Sequence, residues 1–254
     1  MIPQSLAKGA FAAFDEAKEH VPAVVVTPAV PILYFGDLAR YEASELRVVT
    51  VGLNPSLAEF PAEDPFARFA SAQGLTSLDV EQDYRRYESA LNQYFHSSQK
   101  PYVSWFSSLE PLLQGAGSSY YPGADNCALH TDLCSPVATN PTWSRLGSGA
   151  TSVLGRSGRP LWHELIRYLR PHVIFASVAR AQVEGMDFAP LGPWSVLHTV
   201  TRQNPYMVQQ RRLDLGTGAS CLLVFGRAAQ KPFALIDNAE KTRVGQLARE
   251  QIDV

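Results

Sequence analysis

Short apolar runs rich in β-branched residues alternate along this chain with segments of helical period, and that alternation constrains the fold most. The run at 46–52 (LRVVTVG) reads as a buried strand that leaves into a tight loop at Asn54-Pro55. Helical pattern follows at 83–95 and 105–113. A second strand is expected at 127–134, running into Ser135-Pro136. A helix is expected at 160–169, with Pro160 near its start and Pro171 just past its end. Residues 172–178 and 221–226 read as third and fourth strands, and 239–251 as a closing helix. Between those two strands, 194–202 and 207–215 alternate with a period of two around Asn204-Pro205, which reads as a hairpin. The expected fold is three-layer α/β/α, with a central four-stranded, mostly parallel sheet plus an added β-hairpin. No repeat or linker divides the chain, so a single domain is expected over 1–254, with an N-terminal helical extension at about 1–45. Open parallel sheets bind ligands beyond the carboxyl ends of their strands, which directs attention to the loops after Gly52, Cys134, Val178 and Gly226.

Composition narrows the class. With 46% hydrophobic and 18% charged residues over 254 positions, the chain has the apolar content for a real core and is neither a disordered tail nor a collagen. No apolar run reaches the ~18 residues a membrane helix needs, and residues 1–30 show no secretory pattern. Cys127, Cys134 and Cys221 include no CxxC pair, too few for a disulfide framework or a four-cysteine metal site. The six histidines are scattered, without HExxH or HxH, so no metal and no cofactor are expected. The expected setting is the cytoplasm. A formal charge of -2 hides an asymmetry: between Pro141 and Lys231 eleven basic side chains face four acids, a local +7. Such a block suits a phosphate-binding face, or equally a scatter of solvated arginines.

Several motifs fail on spacing. Gly149 to Gly155 has five intervening residues and is followed by Arg156 where a P-loop carries Lys, and neither GxSxG nor GxGxxG follows a strand. What remains is Gly52-Leu53-Asn54-Pro55-Ser56, directly after the first strand. This stretch resembles the uracil-DNA glycosylase superfamily, whose first catalytic motif is a strand followed by G-[Q/I/M/L]-[D/N]-P. It is most similar to the Asn-bearing branches, the mismatch-specific thymine/uracil and single-strand-selective enzymes. Leu129-His130-Thr131-Asp132 resembles the family's base-reading strand end, with Asp132 where Asn is usual. Leu169-Arg170-Pro171 before the third strand matches the family's Arg-Pro after a helix. The family's second catalytic motif, His-Pro-Ser or Asn-Pro-Ser after the fourth strand, is missing; Gly226-Arg227-Ala228-Ala229-Gln230-Lys231 stands there instead. The four cysteines of the iron–sulfur branches are missing too.

The resemblance implies a role for each position. Asn54 would orient a water with its amide carbonyl, although Asn-Pro is also a common turn initiator whose side chain closes an Asx-turn. Glu59, Glu63 and Asp64 offer carboxylates nearby, or a solvated loop face. Phe60 and Phe66 would stack on a flipped-out base, or pack in the core. Asp132, flanked by His130, would read that base. An ionised carboxylate accepts from N4 of cytosine but has nothing to donate to O4 of uracil, and a protonated one can donate to N3. Its structural alternative is a cap on the Ser135-Pro136 turn. Ser56 stands where the uracil-specific branch has a Tyr closing the C5 face, leaving room for a C5 substituent. Arg202, Arg211, Arg212, Arg227, Gln230 and Lys231 are the expected DNA-binding residues.

Excising ordinary cytosine would be lethal to the host genome. The expectation is therefore a glycosylase that flips out and hydrolytically removes a C5-substituted cytosine, hydroxymethylated or glucosylated, of phage DNA, which suits antiviral defence. Alternatives are a non-catalytic nucleic-acid-binding module of the same fold, a uracil/thymine mismatch repair glycosylase, or an unrelated α/β enzyme acting on small molecules.

Overall fold

The β-branched stretch Val48–Gly52 is buried along its whole length, as a strand covered on both faces must be. In the computed structural model, which describes residues 1–96, 101–216, 218–227 and 231–252, it is the first of a series of strands. These are β1 (Val48–Gly52), β2 (Ser118–Ser119), β3 (Asn126–Asp132), β4 (Val173–Ala176), β5 (Ala189–Pro190), β6 (Ser195–Val200), β7 (Tyr206–Asp214) and β8 (Ser220–Phe225). The helices are α1 (Gln4–His20), α2 (Leu38–Ala43), α3 (Glu81–Asn92), α4 (Val103–Phe106), α5 (Glu110–Gly115), α6 (Ser148–Leu169), α7 (Arg180–Glu184) and α8 (Asn238–Glu250).

The sheet order is β2-β3-β1-β4-β8-β7-β5, with β6 paired to β7. Strand β1 runs parallel to β4, with Val48 opposite Val173, and β4 runs parallel to β8, with Val173 opposite Leu222. The four strands expected from sequence thus stand side by side as second, first, third and fourth. The expected hairpin is β6–β7, added antiparallel to β8 with Gln209 opposite Phe225. The class is mixed α/β, a central, mostly parallel sheet flanked by helices, of the three-layer α/β/α kind. Two-residue strands β2 and β5, too short to leave a periodic signal, extend it. None of the described helices is long and apolar enough to cross a membrane.

By its contacts the chain divides into two compact units of interleaved segments. The first comprises Met1–Leu38, Gly52–Tyr102 and His130–Leu165; the second comprises Ala39–Val51, Val103–Leu129 and Ile166–Val254. In the first unit α1 buries Leu6, Ala7, Ala10, Phe11, Phe14 and Ala17, a stripe at helical spacing. An aromatic cluster forms there around Phe35, Phe69 and Tyr94. In the second unit α8 starts under an Asp237 cap, whose carboxylate accepts from the Glu240 N–H at 2.9 Å, and packs on α5.

Helix α6 corrects the expected start at Pro160. It begins at Ser148 and carries Pro160 in its interior, although an internal proline removes a hydrogen bond. The Gly- and Ser-rich stretch before Pro160 reads as loop on propensity. Gly158 serves packing instead: a Cβ there would collide with the Cys134 carbonyl and the Ser135 Cα.

Candidate active site

Strand β1 ends at Gly52, and the chain beyond it stays paired with the chain beyond β3. The Leu133 N–H donates to the Gly52 carbonyl at 3.0 Å and the Cys134 N–H to that of Leu53 at 2.8 Å. Asn54 follows, and its amide is held at one end only. Nδ2 donates to the Val137 carbonyl at 3.1 Å and to Thr139 Oγ1 at 2.8 Å. A carbonyl can only accept. The Thr139 hydroxyl spends its one proton on the Pro141 carbonyl at 2.9 Å, so toward Asn54 it too can only accept. These two acceptors settle which end of the amide is NH2, an assignment that atom positions alone leave open. The Asn54 carbonyl oxygen is therefore turned away from the 137–141 loop. No Asx-turn forms: the amide ties two loops more than 80 residues apart in sequence. Thr139 is completely buried, and its backbone bonds to Pro55 and Leu57 hold the same pairing.

His130 and Asp132, on alternate positions at the end of β3, both lie within the first unit with Asn54. His130 Nε2 stands 3.8 Å from Asp132 Oδ1, too far for a hydrogen bond. Nor is the contact an ion pair. Burial pushes the imidazole down to about 3, leaving it neutral. Burial also raises the Asp132 carboxyl well above its ordinary range, with the Glu59 charge adding to the effect. Gly52 makes room for both groups: a Cβ there would run into Asp132 Oδ1 and lie 3.0 Å from His130 Nε2. Asp132 does not cap the following turn; the Ser135 hydroxyl does, accepting from the Val137 N–H at 3.1 Å. A carboxyl held in its protonated form differs in hydrogen-bonding pattern from a carboxylate. It offers one donor and one acceptor side by side, complementary to N3 and N4 of cytosine; with the proton on the other oxygen it matches N3 and O4 of uracil.

Ser56 is small and half-buried, and its hydroxyl accepts from the Ala58 N–H at 3.3 Å, capping the single 3₁₀ turn Leu57–Glu59. That turn carries Glu59 inward. Of the three loop carboxylates, Glu63 and Asp64 are exposed as a solvated face would be, whereas Glu59 is only 4% exposed. The Tyr94 hydroxyl donates to Glu59 Oε2 at 2.5 Å and itself accepts from the Tyr102 N–H at 3.0 Å. Burial lifts the Glu59 carboxyl to about 7, against the lowering effects of the Tyr94 hydrogen bond and of Arg68, which donates to the Ala58 carbonyl beside it. Sequence reasoning named Glu59 only as one of three. The signal that separates it is its place in Leu57-Ala58-Glu59-Phe60, an otherwise apolar run.

The two phenylalanines part company. Phe60 is 2% exposed and stacks on Phe69 with ring centroids 5.3 Å apart, so it is a core side chain, and the expectation that it stacks on a base is corrected. Phe66 lies edge-on to Phe60 at 6.3 Å and is half-buried, less enclosed than Phe60.

The expected DNA-binding residues lie in the second unit. Arg202, in the hairpin loop, donates to the Asn204 and Leu235 carbonyls, while Arg227 and Lys231, past β8, are exposed. Arg211 and Arg212 sit mid-strand opposite Leu223 and Leu222, away from the carboxyl end of β8 where the sheet rule had placed them. Arg211 is further engaged by the Gly192 carbonyl and by Glu184 at 3.7 Å, and lies over the Trp194 ring. Gln230 lies outside the described residues. A cleft of about 440 Å³ in the same unit, lined by Glu45, Leu46, Asn126 and Arg249 among others, opens at the amino-terminal ends of β1 and β3. Among the described residues no group of three or more His, Cys, Asp or Glu side chains could hold a metal ion.

Comparison with protein-family models, curated proteins and solved structures finds no match to this chain.

Proposed function

We propose that this chain is a DNA glycosylase that flips out a C5-substituted cytosine and hydrolyses its bond to the sugar, leaving an abasic site. The observation that carries the reading is the locked Asn54 amide at the end of β1, in one unit with a buried Asp132 whose carboxyl burial raises well above its ordinary range. Hydrolysis of a base–sugar bond builds positive charge on the sugar and negative charge on the leaving base. A fixed amide carbonyl orients a water toward C1′ without reorganising during the step. Asp132 donates to N3 and accepts from N4 of the extruded base, and Phe66 lies against its face. Small Ser56 leaves the C5 side open, which admits a hydroxymethyl or glucosylated group. Such bases belong to phage genomes, which makes defence against phage in the cytoplasm the natural setting. Arg202, Arg227 and Lys231 serve as the phosphate contacts.

A second reading, repair of uracil or thymine mismatches, draws on the same raised Asp132 carboxyl, which in its protonated form matches uracil when the proton sits on the other oxygen. A third, a non-catalytic DNA-binding module, draws on the missing second motif. The experiment incubates the protein with duplex and single-stranded DNAs carrying one uracil, cytosine, 5-hydroxymethylcytosine or its glucosylated form, and counts alkali-labile abasic sites over a buffer control. Cleavage confined to the C5-substituted cytosines supports the proposal. Cleavage at uracil alone supports the repair enzyme, and binding without cleavage supports the module.

A further inference from the structure

An amide cannot take a proton at neutral pH, so Asn54 orients a water but does not activate it. We infer that Glu59 is the catalytic residue that accepts the proton of the attacking water, an assignment that rests on the base-excision reading above. Glu59 and Asp132 are the buried acids among the described residues, and both belong to the first unit. Tyr94 occupies one carboxylate oxygen of Glu59, and no hydrogen bond from a described residue reaches the other. A purely structural role would not need an acid here: glutamine has the same shape and accepts the same Tyr94 hydrogen bond without a buried ionisable group. Keeping an acid in so dry a place marks a proton-handling role.

In the reacting complex the carbonyl of Asn54 accepts one hydrogen bond from the water, whose other O–H bond breaks as its proton passes to Glu59. The water oxygen forms a bond to C1′ while the C1′–N1 bond breaks and its electron pair leaves with the base. The proton on Glu59 then returns to the departing base, regenerating the carboxylate. The groups that tune Glu59 come from each element around it. Tyr94, just past α3, and Arg68, in the preceding loop, favour the carboxylate. The Glu59 charge in turn raises the carboxyl of Asp132, on β3, whose neighbour His130 is neutral. The balance places Glu59 at about 7, half in the base form at neutral pH.

The test is single-turnover release of whichever base the wild type removes fastest from the DNA panel, measured from pH 5 to 9. Wild type should show an acid limb near pH 7. Glu59→Gln should lose 10²- to 10⁴-fold at pH 8 and flatten that limb, while circular dichroism and urea unfolding show an intact fold. Tyr94→Phe removes a bond that favours the carboxylate, so its acid limb should move to higher pH with most of the plateau rate kept. A Glu59→Gln protein at the wild-type rate, or a limb that Tyr94→Phe leaves in place, overturns the role of Glu59 while base excision stands. A wild type that releases no base overturns both.

Discussion

Replacing Thr139 with valine removes one hydroxyl from a completely buried site and leaves shape and backbone untouched. Two hydrogen bonds go with it, from Asn54 Nδ2 at 2.8 Å and to the Pro141 carbonyl at 2.9 Å. Asn54 keeps its bond to the Val137 carbonyl. At roughly 0.5–1.5 kcal/mol net per bond, the loss should be about 1–3 kcal/mol. For a chain of this size that lowers the melting temperature by roughly 2–4 °C per kcal/mol. The kinetic effect should exceed what the fold loses: with one tether the amide can rotate, and misorienting a group that positions a reactant costs on the order of 10²-fold. Urea unfolding and single-turnover base release on one preparation separate the two effects. Thr139→Ser keeps both bonds and should restore the rate. A Thr139→Val protein that is destabilised but releases base at the wild-type rate would show that Thr139 holds the loop and that the orientation of Asn54 does not matter.

Removing the Asp132 side chain as Asp132→Ala takes away one donor and one acceptor to the base, worth roughly 1–3 kcal/mol, and kcat/KM should fall about ten- to hundredfold; an unchanged kcat/KM across the DNA panel would deny it any part in recognition. For Glu59, a carboxyl raised on folding from 4.5 to about 7 gives a stabilising contribution that is full below 4.5 and lost as pH rises through 7, roughly 3 kcal/mol in all. His130, lowered from 6.5 to about 3, acts oppositely, its contribution full above 6.5 and lost as pH falls toward 3. Urea unfolding of Glu59→Gln at pH 4 and 8 isolates the first effect: relative to wild type the variant should gain roughly 3 kcal/mol at the higher pH, and a pH-independent difference would contradict its burial as an acid. Reversing charge at Arg202 and Lys231 together should weaken DNA binding and flatten its dependence on salt, read by fluorescence anisotropy from about 50 to 300 mM salt; an unchanged slope would place the phosphates elsewhere.

The parallel core was legible because its strands are buried on both faces and so appear as continuous apolar runs: Val48–Gly52, Val173–Ala176 and most of Ser220–Phe225 need no partner to be read. The hairpin was legible from its period of two. The first half of α6 was not, because its Gly- and Ser-rich sequence is poor in helix propensity, while Gly158 is there for close approach to Cys134 and Ser135, a tertiary contact that sequence does not display. At the site, the position of Asn54 followed from the strand end, but its orientation did not. That depends on Val137 and Thr139, which carry no motif and reach it only through the fold. The upward shift of the Asp132 and Glu59 carboxyls was equally hidden, since burial, not residue type, sets it. Phe60 and Phe66 lie six residues apart in one loop, and only packing shows that one is core and the other half-buried.

The central claim is that Asn54 directs hydrolysis of a base–sugar bond. Its most direct test is mass spectrometry of the small molecules released from DNA containing glucosylated 5-hydroxymethylcytosine, by wild type and by Asn54→Ala at equal concentration. The account predicts the free modified base from wild type, one abasic site per base, and at least about a hundredfold less from Asn54→Ala with an unchanged circular dichroism spectrum. Equal release by the two proteins, or no free base from wild type on this or any DNA of the panel, would contradict it.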